Sequence, residues 1–429
     1  MSPHTAFIPI AGIAMVFTIS CSGSNGFTET QKAGPFEVKP MAPQQHMVTL
    51  EDLPAPFSTE SARKGPKVVP RPPKATLHVP PGFDVNVFAH QVENPRWMTL
   101  APNGDVILVE SRKDRVKILR DEDADGTAEG IFVFAEGNRA GLDQPMGVQI
   151  KDGFLYIANT SGVVRFSYRA GQTTADAPGE PFITGITPGG YNQHWTRNIL
   201  FSPDEGLLYL SVGSASNVNT EDLPRASIQV YRADGSNPET FGYGLRNPVG
   251  MALNPVTGKL WTTVNERDGL GDNLVPDYLT SVQEGGFYGW PYAYLSPMNE
   301  DPRRKGERND LVKKTITPDV LFESHSAALG LVFYTGSQFP EEYRNDAFVA
   351  FRGSWNRSQG TGYKVVRIPF NPDGTPKGGY EDFLWGWLID PQGPTTWGRP
   401  VGLLVASDGS LLVTDEMGEI VWRVSYSDQ

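Results

Sequence analysis

A two-strand pattern that recurs six times constrains this chain more than any other feature of its sequence. Each copy has an alternating apolar run, a turn containing Asp, Asn or Gly, and a second apolar run, which is typical of β-hairpins. Repeats of about 50 residues that each hold one hairpin are typical of β-propeller blades. The copies occupy 98–111, 146–166, 199–214, 250–266, 330–355 and 402–424.

These repeats predict an all-β fold, a six-bladed β-propeller of four-stranded antiparallel blades that spans 79–426. A strand near 83–89 or one near 420–424 is expected to close the ring. Longer insertions within 266–325 and 371–397 precede the fifth and sixth copies. Loops inserted on one face of a propeller usually build its binding site.

The composition agrees with this fold and excludes several classes of protein. The 46 Gly and 36 Pro among 429 residues are too many for a helical bundle, and 39% hydrophobic residues are enough for a core. A net charge of −12 argues against nucleic-acid binding, which needs a basic surface. The single cysteine, Cys21, excludes internal disulfides, Fe–S clusters, thiolate zinc sites and a CxxCH haem attachment.

The N-terminus is interpreted as a targeting segment. The apolar run 6–19 is too short to span a bilayer, and it ends in a small residue followed by Cys21, as bacterial lipoprotein signals do. We therefore expect 1–20 to be a signal peptide and Cys21 to carry lipid, so that the exported, periplasmic protein is held at the membrane by its anchor only. The alternative is an ordinary secretory signal. The Pro-rich stretch 22–78 is interpreted as an extended tether.

Polar residues that a propeller does not need stand at the start of successive repeats. Corresponding positions in successive blades converge on one mouth of the channel, so these residues predict an electropositive pocket for a small molecule with carboxylates. The alternative is that each arginine pairs with a neighbouring carboxylate and ties the blades together. The residues are Arg96, Gln144, His194, Arg197, Arg246, Asn247, His325, Ser326 and Arg399.

His194 is the best candidate general base, because it lies at a loop-to-strand junction and a neutral imidazole can accept a hydroxyl proton. The loop 265–277 is rich in oxygen donors and Gly, which indicates a hard cation such as Ca²⁺. A second acidic loop, 121–129, has the alternating Asp spacing of a Ca²⁺ loop but lacks the full EF-hand pattern. We interpret this second loop as a solvated hairpin turn.

Three motifs are similar to those of the soluble glucose/sorbosone dehydrogenases that depend on pyrroloquinoline quinone (PQQ). They are the runs at 245–250, 265–268 and 285–292, with supporting matches at 79–83, 328–331, 353–357 and 398–402. The resemblance covers 79–426, and the nearest branch is that of the L-sorbosone dehydrogenase-like proteins.

This resemblance implies a six-bladed propeller that uses PQQ and Ca²⁺ to oxidise an aldose or a related, sorbosone-like sugar. Because the sequence has no haem-attachment motif, electrons are expected to pass to an external acceptor, a quinone or a cytochrome. The base position is matched by His194. The positions that contact PQQ are matched by Gln144, Arg246, Asn247, Arg352 and Arg399, and the Ca²⁺ loop by Arg267, Asp268, Gly269 and Asp272.

Two positions depart from the glucose-oxidising branch. Ser214 stands where that branch has an Asp that orients the base, and Arg352 stands where it has Lys. Both changes leave the identity of the sugar substrate undetermined. Two other functions therefore stay as alternatives: a non-catalytic propeller that binds a glycan or a protein, and a Ca²⁺-dependent lactonase.

Overall fold

The computed structural model of the protein describes residues 34–187, 193–203 and 206–427, and these form strands with almost no helix. Cys21 and the predicted signal peptide lie outside the described residues. Most strands belong to six sheets of four or five strands. The strands of each sheet are given below in the order in which they pair, and the sheets are numbered 1 to 6 by the chain position of the strand given first. The predicted all-β class is therefore confirmed, and these sheets are consistent with a β-propeller fold.

Sheets 1 to 3 are each built from strands that follow one another in the chain. Sheet 1 consists of Pro95–Leu100, Val106–Glu110, Arg115–Arg120 and Gly130–Glu136. Sheet 2 consists of Val148–Lys151, Phe154–Ala158, Val163–Ser167 and Glu180–Ile183. Sheet 3 consists of Arg197–Phe201, Leu207–Val212, Ser227–Arg232 and Glu239–Tyr243, with Gly286–Phe287 added in parallel.

Sheets 5 and 6 also take up strands from the N-terminal part of the chain. Sheet 4 consists of Pro248–Leu253, Leu260–Val264, Tyr278–Ser281 and Val320–Leu321. Sheet 5 consists of Ala328–Phe333, Ala347–Phe351, Lys364–Ile368, Tyr380–Leu384 and Gln45–His46. Sheet 6 consists of Pro400–Val405, Leu411–Asp415, Ile420–Tyr426, Phe83–Ala89 and Gly34–Phe36.

The remaining elements are short. Val38–Pro40 pairs with Leu77–Val79, and Lys67–Val68 pairs with Thr395–Thr396, which in turn pairs with Leu388–Asp390. The helices among the described residues are Asn309–Val312 and the 3-10 turns Leu50–Asp52, Ser111–Lys113, Asn138–Ala140 and Glu341–Tyr343. None of these is long and apolar enough to cross a membrane.

The second strand of each sheet is buried on both faces, as in Val106–Glu110 and Ala347–Phe351, where every residue is buried. Both sides of such a strand are covered by apolar side chains, which explains why these segments are apolar runs rather than strict alternations. The hydrophobic core consequently runs between neighbouring sheets.

The first strands of the sheets contact one another in order, and the first strand of sheet 6 contacts that of sheet 1. Two glycines make these approaches possible. A Cβ on Gly250 would collide with the carbonyl oxygen of Leu329, and one on Gly402 with the carbonyl oxygen of Arg96. The sequence places Gly at the start of these repeats because neighbouring backbones pass there at close range.

The N-terminal and C-terminal parts of the chain meet in sheet 6. Phe83–Ala89 pairs antiparallel with Ile420–Tyr426, so that Val85 lies opposite Val424. The stretch predicted to be a tether, 22–78, packs on the sheets from Gly34 onward, where its backbone adds strands to existing edges. Its composition gives it no core of its own, so it is ordered by hydrogen bonds to the sheets and by apolar side chains, such as Phe36 and Leu53, that pack on their cores.

Candidate functional site

A cavity of about 390 Å³ lies at one end of the six sheets. Its lining comes from residues at the start of the first strands and from the connections that follow the second strands. It brings together five of the residues predicted from sequence: His194, Arg246, Asn247, Asp268 and Arg352. Arg96 and His325, also singled out at the start of their repeats, lie in the same lining.

His194 is fixed by Ser214. The Nδ1 atom of His194 is 3.0 Å from the carbonyl oxygen of Ser214 and 2.9 Å from its hydroxyl oxygen. That hydroxyl donates its hydrogen to the carbonyl oxygen of Ser216 at 2.6 Å, so both oxygens accept from Nδ1. The hydrogen of the neutral ring therefore sits on Nδ1, and Nε2 is left as the basic nitrogen.

The surroundings also keep this ring neutral. Burial, together with the positive charge of Arg246, holds the pKa of His194 well below its usual value, although the hydrogen bond to Ser214 acts in the opposite direction. No carboxylate replaces the Asp of the glucose-oxidising branch at this position, so no negative charge raises the pKa again. The result is an imidazole able to accept a proton at neutral pH.

Arg246 is held by the protein on several sides. Its guanidinium donates to the carbonyl oxygen of Asn217 at 3.1 Å, to that of Glu266 at 2.6 Å and to a carboxylate oxygen of Asp268 at 3.0 Å. These bonds connect the segments that follow the second strands of sheets 3 and 4. Arg246 thus serves as a tie between segments, and it contributes positive charge to the cavity.

Asn247 is buried and carries an unsatisfied oxygen. Within the described residues, its Oδ1 atom has no hydrogen-bond partner. A Cβ on Gly213 would collide with this oxygen and would lie 2.6 Å from the Cβ atom of His194. Gly213 therefore lets the amide and the imidazole stand side by side, and a buried oxygen without a partner marks a place where a bound group can be held.

A second group of charges also contributes to the cavity lining. Arg96 and Arg352 both form ion pairs with Glu416, which is almost fully buried. Burial alone would raise the pKa of Glu416, but Arg96, Arg352 and Arg399 outweigh it and lower that pKa to about 2. One carboxylate thus balances only part of the charge of three guanidinium groups. We call these four residues the arginine cluster.

Arg399 lies behind the cavity rather than in its lining. It donates to the carbonyl oxygen of Arg352 at 2.9 Å and to that of Gly353 at 2.6 Å. Both bonds support the backbone that carries Arg352, and the contact of Arg399 with the cofactor stays a prediction. Glu416, which sequence reasoning missed, directly follows the buried second strand of sheet 6, and this position is the signal that could have found it.

The loop 265–277, predicted from sequence to hold a hard cation, contributes two buried carboxylates to the cavity. Glu266 and Asp277 line the cavity, and burial raises the pKa of each to about 7. Asp277 accepts hydrogen bonds from the backbone N–H groups of Glu266 at 2.8 Å and Ala327 at 2.7 Å. Among the described residues, Glu266 Oε1 has no partner. This oxygen-rich wall, with Asp268 beside it, suits a hard cation.

The other members of the predicted Ca²⁺ set do not line this cavity. Arg267 turns inward to form an ion pair with Asp301 at 2.9 Å. Asp272 accepts a hydrogen bond from the backbone of Ser358 at 2.6 Å on the exposed side of its loop. Gly269 lines a smaller neighbouring cavity.

Gln144 also lies away from the cavity. It is exposed, and its backbone N–H donates to Asp114 at 2.7 Å. Its φ of 47° places it in the left-handed region, which turns its side chain out of the extended alternation that the repeat pattern assumes.

The acidic loop 121–129 connects the third and fourth strands of sheet 1. Four carboxylates there, those of Asp121, Asp123, Asp125 and Glu129, have oxygens within 4.8 Å of one another. The N–H of Asp125 donates to both Asp121 and Asp123 at 3.2 Å, which accounts for the spacing as a hairpin turn.

The cavity fits a flat polycarboxylate and a cation. Its lining combines guanidinium groups and buried carboxylates with an unpaired amide oxygen and a neutral imidazole. Guanidinium groups bind carboxylates in a bidentate manner, whereas Ca²⁺ takes carboxylate and carbonyl oxygens.

Comparison with known proteins gives a consistent picture. A family model described as TrAA12-like matches residues 77–284 and 298–425. A protein of Borreliella burgdorferi is 29% identical over 363 residues, 82% of this chain and 91% of that protein. The PQQ-dependent pyranose dehydrogenase of Coprinopsis cinerea is 24% identical over 411 residues, 81% of this chain. The chain thus spans about half, 54%, of that fungal enzyme.

A solved structure shares the fold. The calcium structure of the Trichoderma reesei carbohydrate-active enzyme of family AA12 superimposes with a TM-score of 0.71 at 20% identity, covering 84% of this chain and 98% of that one. The resemblance to PQQ-dependent dehydrogenases is therefore confirmed by the sequence comparison, and the solved structure shows the shared fold.

Proposed function

Because the chain belongs to the TrAA12-like family, we propose that it is a PQQ-dependent, Ca²⁺-dependent dehydrogenase of an aldose or a related sugar such as sorbosone. The observation that carries the proposal is the state of His194, whose Nδ1 is occupied by Ser214 while Nε2 stays basic in the lining of a charged cavity. The dependence of the fungal pyranose dehydrogenase on PQQ supports the choice of cofactor.

The architecture proposed with this function is one closed six-bladed propeller. The contact between the first strands of sheets 6 and 1 supports it, as does the pairing of Phe83–Ala89 with Ile420–Tyr426. In that arrangement the cavity lies at the mouth of the central channel.

Different residues of the cavity lining would hold the two cofactors. Arg96 and Arg352 would bind the carboxylates of PQQ, because their guanidinium groups outnumber the single carboxylate of Glu416. Glu266 and Asp277 would hold Ca²⁺, together with carbonyl oxygens of the loop that contains Asp268. When bound, PQQ supplies a two-electron acceptor and Ca²⁺ supplies a Lewis acid.

A side chain of the protein accepts the proton of the substrate hydroxyl. Nε2 of His194 accepts the hydrogen of the substrate hydroxyl, while Ser214 keeps the other nitrogen protonated and the ring in place. Asp268 is paired with Arg246 and reduces the repulsion that a protonated His194 would feel from it. This arrangement speaks for catalysis rather than for a non-catalytic glycan-binding propeller, because a binding module has no need of a neutral, oriented imidazole.

Reconstitution tests the proposed function. The protein is loaded with PQQ and Ca²⁺ and mixed with an artificial electron acceptor and, in turn, aldoses, sorbosone and simple alcohols. We expect acceptor reduction only when PQQ and a sugar are both present, and loss of turnover in His194→Gln. A protein that binds PQQ yet oxidises none of these compounds would favour the non-catalytic alternative.

We also propose that the chain is exported and held at a membrane by lipid on Cys21. The support is the apolar run 6–19 followed by Ser20 and Cys21. Electrons would then pass from the site to an external quinone or cytochrome.

A further inference from the structure

A second cavity of about 220 Å³ adjoins the first one. The two share Asp268, His325, Trp355 and Asn356, so a molecule in the large cavity can extend into the small one. The indole of Trp355 is 45% exposed, an unusual exposure for so large an apolar group, and it forms a wall common to both. The small cavity is therefore placed to receive part of a substrate.

Two guanidinium groups line this small cavity, those of Arg63 and Arg303. In the part of the chain that the structure describes, neither side chain has a carboxylate partner. The carboxylate of Asp268 in the same lining is occupied by Arg246 at 3.0 Å and by the amide of Asn356 at 2.6 Å. The small cavity is thus positively charged in a chain whose net charge is −12.

The backbone of the segment that contains Arg63 is fixed against the site. The stretch 57–64 crosses the site as a strap: the N–H of Phe57 donates to the carbonyl oxygen of Leu270 at 2.7 Å, and the N–H of Lys64 to that of Trp355 at 2.9 Å. Between them, the hydroxyl of Ser61 accepts from the N–H of Gly271 at 3.1 Å.

This strap lies outside the residues that the TrAA12-like model matches, which begin at 77. Arg303 lies in the insertion of sheet 4, close to the short gap between the two matched ranges. Arg303 itself falls within the matched range 298–425, so only Arg63 comes from a segment outside the family model, and such segments commonly set specificity.

We propose that the small cavity binds the carboxylate of an acidic sugar, so that the preferred substrate is a uronate rather than a neutral aldose. Two unpaired guanidinium groups next to a cavity that takes a sugar provide charge-assisted hydrogen bonds to a carboxylate. The apolar face of Trp355 covers the ring between that carboxylate and the large cavity. The assignment rests on the proposed function for the reaction, but the binding site is a separate property of Arg63 and Arg303.

Calorimetric titration of the PQQ- and Ca²⁺-loaded protein with glucuronate and with glucose tests this assignment, because the two sugars differ only at C6. We expect glucuronate to bind about tenfold or more tightly than glucose. Arg63→Gln and Arg303→Gln should each weaken the binding of glucuronate by about tenfold and leave that of glucose unchanged. The effect on turnover should fall on KM for glucuronate and leave kcat unchanged. Both side chains are exposed, so the variants are expected to fold.

Arg344→Gln is the matched control. Arg344 is exposed and lies in the connection between the first and second strands of sheet 5, at the opposite end from the cavity lining. Its loss should leave the affinities for glucuronate and glucose as they are. An equal loss of glucuronate affinity in this variant would show that a general surface charge, and not the small cavity, attracts the anion.

The outcomes separate this assignment from the proposed function. Oxidation of neutral sugars with no preference for glucuronate would overturn the carboxylate site and keep the dehydrogenase. Arginine-dependent binding of glucuronate without PQQ-dependent oxidation of any sugar would do the reverse. If the variants weaken PQQ instead, or if glucose 6-phosphate binds more tightly than glucuronate, the assignment to a sugar carboxylate is wrong.

Discussion

The Nδ1 atom of His194 donates its hydrogen to Ser214, whose carbonyl oxygen lies at 3.0 Å and whose hydroxyl oxygen lies at 2.9 Å. Ser214 thus orients the ring without adding a charge. An Asp at this place would do both, because a carboxylate beside an imidazole stabilises its protonated form. With Ser rather than Asp at position 214, the base is oriented while its pKa is not raised.

The first prediction follows from this difference. Ser214→Asp should raise the pKa of His194, so the acidic limb of the kcat/KM profile should move to higher pH by about one unit or more. The wild type should stay active to a lower pH, since burial and Arg246 hold this pKa well below its usual value. Ser214→Ala is the control, because it keeps the carbonyl acceptor and adds no charge. Coinciding acidic limbs for Ser214→Asp and wild type would contradict the assigned base.

The second prediction distinguishes the role of His194 as the base from the role of Arg352 in binding PQQ. His194→Gln should bind PQQ nearly as the wild type does but lose about 10²–10⁴ in turnover. Arg352→Gln should require about tenfold or more PQQ to saturate, since one charged donor is lost, and should recover much of its rate at saturation. Titration of PQQ into the cofactor-free variants measures both quantities. Normal turnover of His194→Gln at saturating PQQ would exclude His194 as the base.

Arg352 is chosen for this comparison because of what the structure shows for Arg246. Arg246 matches the Arg-Asn pair of the resembled family, but its donors are already engaged by Asn217, Glu266 and Asp268. Its replacement would disturb the fold of the loop as well as the cavity. A change at Arg246 would therefore mix cofactor binding with stability.

Much of the fold could be predicted from sequence because its signal is local. An alternating apolar run, its turn and the following run lie within about 20 residues of sequence. Each of the six copies contains most of the first two strands of a sheet. The pairing of Phe83–Ala89 with Ile420–Tyr426 could be anticipated only as one of two closures. The strap 57–64 could not, because its partners lie more than two hundred positions away, as Ser61 and Gly271 do.

The candidate site could be predicted in part for the same reason. His194 and Asn247 stand at repeat starts, where the fold brings residues together. Gln144 occupies an equivalent position but turns outward at a left-handed residue. Glu416 was not predicted, because the repeat starts point to Arg, Gln, Asn and His. Buried guanidinium groups also require a carboxylate that balances part of their charge, and Glu416 provides it.

The third prediction concerns Glu416. Its folded-state pKa of about 2 lies below the ordinary value of 4.5, so its contribution to stability is present above pH 4.5 and is lost as the pH falls towards 2. Glu416→Gln should lower the Tm of the cofactor-free protein at pH 7, because Arg96 and Arg352 lose their buried partner. It should also flatten the decline of Tm between pH 4.5 and 2. Thermal unfolding followed against pH measures both, and an unchanged Tm at pH 7 would contradict the role of this carboxylate.

PQQ should restore part of the stability that Glu416→Gln loses, since its carboxylates would neutralise the same guanidinium groups. A gain in Tm on adding PQQ that is larger in the variant than in the wild type is the expected result. An equal gain in both would place the cofactor away from the arginine cluster.

The fourth prediction concerns the N-terminus. Cys21→Ala should move the protein from the membrane fraction to the soluble periplasmic fraction, because the proposed lipid is its only anchor. Ser22→Ala is the control, since it leaves the modified residue in place. Fractionation compares the three chains, and a Cys21→Ala protein that distributes as the wild type does would favour an ordinary secretory signal or no export.

The fifth prediction distinguishes the two acidic regions as metal sites. Chelation should abolish PQQ-dependent activity and Ca²⁺ should restore it, because the wall formed by Glu266 and Asp277 is proposed to hold the cation. Glu266→Gln should raise the Ca²⁺ concentration needed for half-maximal activity by about tenfold or more, since it removes a charge from the wall. Asp123→Asn is the matched control: Asp123 belongs to the acidic turn 121–129 of sheet 1, so its loss should leave that concentration unchanged. If Asp123→Asn raises this Ca²⁺ concentration and Glu266→Gln does not, the cation binds at the hairpin turn. Activity that survives exhaustive chelation would show that the reaction does not depend on Ca²⁺.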